Sequence, residues 1–216
     1  MHSATDIRKR PSQERSRQRV GKILEVAAER ISEVGADQLK MSDIAKLAGV
    51  PIGSIYQYFP NKSSIIRSLA ESHLEQLREV VLENLATVKE APDGDDVAAI
   101  QLMSNRIIDT YYSFYLNEPA FSALWGGIQA DAMLTELEVK DTQETADILH
   151  EILKPIFPPM SEARGHALTL VICNQIGATL RFALQLGEEQ GQELVEMLKE
   201  QIGRVARSYI EERSAP

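Results

Sequence analysis

Apolar residues recur at steps of three and four along almost the whole chain. No stretch alternates apolar and polar residues with β-branched enrichment for long enough to propose a strand. That spacing selects an all-α fold. Residues 19–34 place Val20, Ile23, Leu24, Ala27, Ala28, Ile31 and Val34 on one helical face, and Gly35 follows as a stop. A short helix from about Met41 to Ala48 turns Ile44, Ala45, Leu47 and Ala48 inward, and a second runs from about Ile52 to Phe59. Pro60 ends it, and Asn61 is a good N-cap for a long helix reaching about Lys89. After the turn-rich APDGDD (91–96), helices are expected at about 97–116, 119–128, 132–154, 162–186 and 190–212. Gly126-Gly127 weakens the second of these, and Ser161 caps the fourth. The total is about nine helices, without an internal repeat.

The 216 residues are 44% apolar and 25% charged, the balance of a soluble globular chain. No apolar run approaches the ~20 residues of a membrane span, and no apolar stretch follows the basic N-terminus, so neither a membrane partner nor a secretory signal is expected. Cys173 is the only cysteine, which excludes an intrachain disulfide and fits a cytoplasmic protein. Net charge is −9, but it is unevenly spread. Residues 1–62 hold eleven Lys/Arg against seven Asp/Glu, net +4, and the remainder twelve against 25, net −13. A small basic module on a larger acidic body is the implied plan. An arm such as RKRPSQERSRQR can neutralise phosphates and release counterions; a solvated tail is the alternative.

GVPIGSIYQYFPNK (49–62) is the densest local pattern. Two short helices about a Gly-containing turn match a helix-turn-helix, whose second helix enters the major groove. At about 100° per residue, Ile52, Ile55 and Phe59 share one side of that helix, with Gly53, Ser54 and Gln57 opposite and Tyr56 and Tyr58 on the flanks. Gly53 permits close backbone approach, Gln57 can present a bidentate amide to adenine, and Pro51 or Ile52 can touch a thymine methyl. Tyr56 and Tyr58 are placed to donate to phosphates on the two groove walls, and Lys62 suits a phosphate held at the next helix N-terminus. The alternative is that both tyrosines are core rings.

ILEVAAERISEVG followed by MSDIAKLAGVPIGSIYQYFPNKSSII resembles the DNA-binding domain of the TetR family of bacterial transcriptional regulators, over about residues 15–66. The resemblance implies an all-helical homodimer whose helix-turn-helix binds a palindromic double-stranded DNA operator and whose C-terminal domain binds a small inducer. It implies three parts: a basic flexible arm at 1–14, the helix-turn-helix domain at 15–62, and a ligand-binding and dimerisation domain at 63–216. At the matching positions Pro51, Gly53, Ser54, Tyr56, Gln57, Tyr58 and Lys62 would face DNA. One position departs. The family commonly has Thr, an N-cap and phosphate ligand, three residues before Asp43, where this chain has Lys40. Ser42 is then left to cap a shortened helix, and Lys40 to meet phosphate as a charge.

In the larger part, Tyr111, Tyr112, Phe114, Tyr115, Phe121 and Trp125 are six of the twelve aromatics. They suit an apolar pocket with polar handles, or an aromatic core. Met103, Ile107, Gln129, Met133, Asn174 and Gln175 are candidates for its other wall. Asn174 and Gln175 would require partners if buried, from a ligand or from a second subunit. Asp109, Glu118 and Asp131 near the rings favour a neutral or cationic lipophilic ligand. The last two helices carry wide stripes, Leu168 to Phe182 and Leu194 to Tyr209, that suit one face inside and one on a partner, and the family uses these two helices as its dimer interface. No P-loop, G-x-S-x-G or Cys/His zinc spacing is present, Asp147-x-x-His150 stands alone as the nearest approach to a di-metal motif and reads as a surface histidine, and neither enzyme, cofactor nor metal is expected. The reading is a repressor released by its ligand, the rival an architectural or ligand-independent DNA-binding protein.

Overall fold

The computed structural model describes residues 14–86, 96–125, 131–155 and 157–214. Nearly all of the arm at 1–14, the turn at 91–95, the Gly126-Gly127 break and Gln129 lie outside them. Nine α-helices are present among the described residues: α1 Glu14–Val34, α2 Met41–Ala48, α3 Ile52–Tyr58, α4 Lys62–Ala86, α5 Asp96–Asn117, α6 Pro119–Trp125, α7 Ala132–Leu153, α8 Glu162–Ala183 and α9 Glu188–Ser214. A 3₁₀ turn at Ala36–Gln38 was not expected. α1 starts about a turn earlier than the apolar periodicity marks, because its first turns are polar. Ser161 caps α8, its hydroxyl accepting from the Arg164 N–H. Asn61 caps α4: its Oδ1 accepts from the Ser64 N–H at 2.9 Å, and the buried Ser64 hydroxyl lies 3.4 Å from the Asn61 N–H.

The chain divides into two compact units, the first reaching Leu74 and including Glu118–Leu137, the second formed by Glu75–Asn117 and Glu138–Pro216. The first unit thus takes in more chain than the 15–62 suggested by the motif. Its core gathers Ile23, Ala27 and Ile31 of α1, Ile44 of α2, Ile55 of α3, Phe59, and Ile65 and Ala70 of α4, each completely buried. At roughly 1.5–3 kcal/mol for each large side chain buried, this apolar contact holds three short or polar-faced helices in place. α6 packs against α1. Leu47 corrects its expectation: it is 58% exposed, because Ile44 and Ala45 already occupy the narrow inward arc of an eight-residue helix.

In the second unit α9 packs on both α5 and α8, and α5 on α8. The α5–α9 approach is close: a Cβ on Gly203 would fall 1.6 Å from the Gln101 Oε1. The Gln101 amide donates to Asn105 Oδ1 and to the Lys199 carbonyl. Val81, Ile100, Met103, Ile107, Leu149, Leu153 and Ile210 form a continuous buried cluster there.

His73 lies in the core of the first unit, 5% exposed, with its ring 5.9 Å from that of Phe121 and its Nε2 4.0 Å from a Glu118 carboxylate oxygen. Burial pushes its imidazole down to about 4. The unfolded chain takes up a proton at an ordinary histidine value near 6.5, the folded chain only near 4, so stability is lost as pH falls through that window. Urea midpoints measured from about pH 7 to about pH 5 should therefore decline, and decline less steeply in His73→Gln.

Candidate nucleic-acid interface and ligand cavity

α2 and α3 are joined by a turn whose geometry one residue decides. Gly49 has φ 66°, left-handed, while its N–H donates to the Lys46 carbonyl and that of Val50 to the Ala45 carbonyl. This paired C-terminal motif closes α2 and redirects the chain into Pro51 and α3. Ile55, Tyr58 and Phe59 then face inward, while Pro51, Ile52, Gly53, Tyr56 and Gln57 stand exposed and Ser54 half-exposed. Gly53 is of special interest. It has an ordinary helical φ, and a Cβ placed there would meet no protein atom within 4 Å, so nothing inside the fold calls for glycine.

Two positions on α3 depart from the helical-wheel reading. Tyr58 is core, 4% exposed, with its hydroxyl 3.0 Å from that of Ser16 on α1, so it does not stand on the outer flank. Ile52, assigned to the buried side, is 44% exposed. Both follow from α3 ending at Tyr58: Phe59 enters the core from an extended C-cap, which draws the buried arc toward Tyr58 and leaves Ile52 at the open first turn. Lys40 is the extended N-cap of α2 and is exposed, with no side-chain cap bond; the Ser42 hydroxyl turns to Asp43 Oδ1 at 3.5 Å, so Ser42 does not replace the missing threonine. Lys62 Nζ donates to the Asp37 carbonyl at 2.8 Å, tying the 3₁₀ turn to the start of α4.

The second unit contains a cavity of about 70 Å³, lined by Ile100, Met103, Ser104 and Ile107 of α5, Leu149 and Leu153 of α7, Phe157, and residues of α8 and α9 including Leu168, Ile172, Ile176, Ile202, Tyr209 and Ile210. Of the expected ligand residues only Met103 and Ile107 line it. Tyr111 and Tyr115 stand four and eight residues beyond Ile107, and each four-residue step rotates a side chain by about 40°, carrying them off the cavity face. Tyr111 still packs against the buried cluster whose members line the cavity, and both phenols stand near a polar cluster. Arg78 pairs with Asp141 and with Glu144 (2.8 Å), and Arg181 with Glu138. Burial raises the Tyr115 phenol to about 12 despite the nearby Arg181, and raises those of Tyr111 and, against its Arg78 partner, the Asp141 carboxyl. Phe114 is half-buried beside Tyr115. Phe121, Trp125 and Met133 belong to the first unit, where the Phe121 and Trp125 rings stand 5.9 Å apart. The aromatic run is thus divided between the two units. Asn174 is exposed and Gln175 half-buried, so neither poses the burial problem expected of it. The aliphatic α8 and α9 positions were legible as stripes, but a stripe does not say which of its members face a void. His150 is also corrected: it is buried, not at the surface.

Three N-terminal helices, the third an exposed, glycine-bearing recognition helix, among described residues that are otherwise helical, define a helix-turn-helix DNA-binding protein. Comparison with known proteins agrees. A family model described as "Bacterial regulatory proteins, tetR family" matches residues 23–69, and one described as "Tetracyclin repressor-like, C-terminal domain" matches residues 100–210. The chain belongs to the TetR family of transcriptional regulators. It is 25% identical over 163 residues to the "HTH-type transcriptional regulator BetI" of Klebsiella pneumoniae (strain 342), covering 75% of this chain and 80% of that one. It is 32% identical over 133 residues to the "Fatty acid metabolism regulator protein" of Bacillus subtilis (strain 168), covering 61% and 59%. A TetR-family regulator structure from Streptomyces coelicolor superposes with TM-score 0.61 at 27% identity, covering 88% of this chain and 98% of that one. The family and these relatives are named as regulators. Among the described residues no helix is long and apolar enough to cross a membrane.

The Ser16–Tyr58 bond ties α1 to the recognition helix. Ser16→Ala and Tyr58→Phe should each cost about 0.5–1.5 kcal/mol. A double-mutant cycle by urea unfolding should show a loss smaller than the sum of the two. Additive losses would mean that the two hydroxyls do not act on each other.

Proposed function

We propose that this regulator is a ligand-responsive repressor that binds a palindromic operator as a homodimer and is released by a small lipophilic molecule. The observation that carries the DNA reading is the outer face of α3, with Gly53 vacant of any internal packing demand. Gly53 admits the groove wall to the backbone, Gln57 reads a base, and Pro51, Ile52 and Ser54 border it. Tyr56, Lys40 and Ser42 meet phosphates, and so does Lys62 once it leaves the Asp37 carbonyl. Tyr58 acts from beneath, by holding α3.

Dimerisation through α8 and α9 is supported by Val171, Phe182 and Met197, large apolar side chains that are 61%, 53% and 46% exposed on those two helices. Such a dimer presents two α3 helices to successive major grooves, which requires about 34–36 Å between them. The aliphatic cavity, with only the Ser104 and Tyr209 hydroxyls as polar handles among its lining side chains, favours a neutral lipophilic ligand, and a cationic one remains compatible with the acidic body. The Bacillus relative is named for fatty acid metabolism, which shares the lipophilic character of this class but not its neutral or cationic charge. The ligand acts by binding the DNA-free state more tightly than the DNA-bound one.

Footprinting of the purified protein on its own upstream DNA should show two symmetric protected half-sites. Protection without two-fold symmetry would sink the operator reading. Gly53→Ala should lower operator affinity while leaving the melting temperature unchanged or higher, since alanine favours a helix by about 0.5–1 kcal/mol over glycine. Unchanged affinity would remove Gly53 from the interface. In a second measurement, neutral and cationic lipophiles are screened for release of operator DNA. Ala206→Leu, which narrows the cavity, should abolish release by an active compound while retaining DNA binding. Release unaffected by that change would place the ligand elsewhere.

A further inference from the structure

The end of α7 and the start of α8 bring together a group of side chains that the regulatory reading does not use. His150 and Glu151 lie in the last turn of α7, and Glu162 is the first residue of α8. His150 Nε2 stands 3.1 Å from Glu162 Oε1, and one ligating atom from each of the three residues lies within 4.8 Å of the others. We propose that His150, Glu151 and Glu162 form a binding site for a divalent transition-metal ion of the zinc type, which staples α7 to α8.

Three observations support it. The first is distance. Zinc–nitrogen and zinc–carboxylate bonds of about 2.0–2.2 Å at tetrahedral angles place neighbouring ligand atoms about 3.3–3.6 Å apart. His150 and Glu162 are within a few tenths of an ångström of that edge, and the exposed Glu151 side chain closes the remaining gap by rotation. The second is orientation. The His150 imidazole is 5% exposed, packed against Phe157 and roofed by Gly165, where a Cβ would come within 2.6 Å of its Cε1. Its Nδ1 is buried with no hydrogen-bond partner among the described residues. Packing fixes the ring and aims Nε2 at the carboxylates. With an ion on Nε2 the ring proton sits on Nδ1, without the hydrogen-bonded support that metal-bound imidazoles usually have, so orientation here rests on packing alone.

The third is charge. Glu151 and Glu162 are both exposed carboxylates, so the group offers two negative charges to a cation, while Asp147 is taken by His166 Nε2 at 2.6 Å. The competing cation is Lys154, whose Nζ shares Glu162 Oε1 at 2.9 Å. Lys154 is half-exposed and can swing into water, so an arriving metal ion displaces it. The donor set of one imidazole and two carboxylates suits Zn²⁺, leaving a coordination position for water.

The test uses the full chain, freed of metal by a chelator and titrated with Zn²⁺ against a chromophoric indicator. One ion per chain should bind, and zinc should raise the melting temperature. Glu162→Gln and Glu151→Gln should each weaken binding at least about tenfold, by the scale of loss seen when metal-site support is removed. Both replace exposed side chains, so the metal-free melting temperatures should stay close to that of the parent. Lys154→Ala should tighten binding, since it removes the competitor; a role as a mere ion pair predicts no such gain. Absence of Zn²⁺ binding at micromolar concentration would overturn the site. So would stoichiometric binding that survives Glu162→Gln, or a thiolate-to-metal absorption band on adding Co²⁺, which would move the ion to Cys173.

Discussion

What the N-terminal unit presents to DNA depends on the burial of Phe59. It sits just past the end of α3 in extended backbone, wholly removed from solvent. A seven-residue helix has no independent stability in water. α3 exists because Ile55, Tyr58 and Phe59 are held among the isoleucines of α1, α2 and α4, and its outer face is set by that inner one. Gly49 supplies the turn that lets these rings reach the core while Gly53 and Gln57 point away from it.

A comparable division of labour governs the second unit. α9 reaches α5 closely because Gly203 leaves room for Gln101, and the aliphatic faces of α5, α7, α8 and α9 surround a small cavity rather than closing it completely. The charged and phenolic groups are gathered separately, where Arg78 and Arg181 are paired with carboxylates of α7. Keeping the cavity apolar and its neighbourhood ion-paired limits the cost of buried charge, since each guanidinium has an acidic partner.

The same rule of paired charge is less complete at the α7–α8 junction. There His150 and Lys154 converge on a single carboxylate oxygen of Glu162. Two donors on one exposed acceptor leave a group that can exchange partners, whereas Arg78 and Arg181 each have a carboxylate partner that is less exposed than Glu162.

Helix type, the number of helices, the caps at Asn61 and Ser161, and the turn at Gly49 were all legible in the sequence, because each is decided within a few residues by periodicity, capping chemistry or a left-handed φ. So was the likeness of residues 15–66 to a helix-turn-helix. The positions of Tyr58, Ile52 and Leu47 were not. A seven- or eight-residue helix is too short for its own periodicity to fix the centre of its buried arc, and Phe59 fixed it from outside the helix. Nor was the separation of Tyr111 and Tyr115 from Phe121 and Trp125. Residues close in sequence entered different compact units, while Leu153, Ile172 and Ile202, far apart in sequence, came to line one cavity. Local chemistry determined which segments became helices; only long-range packing decided which of their faces met.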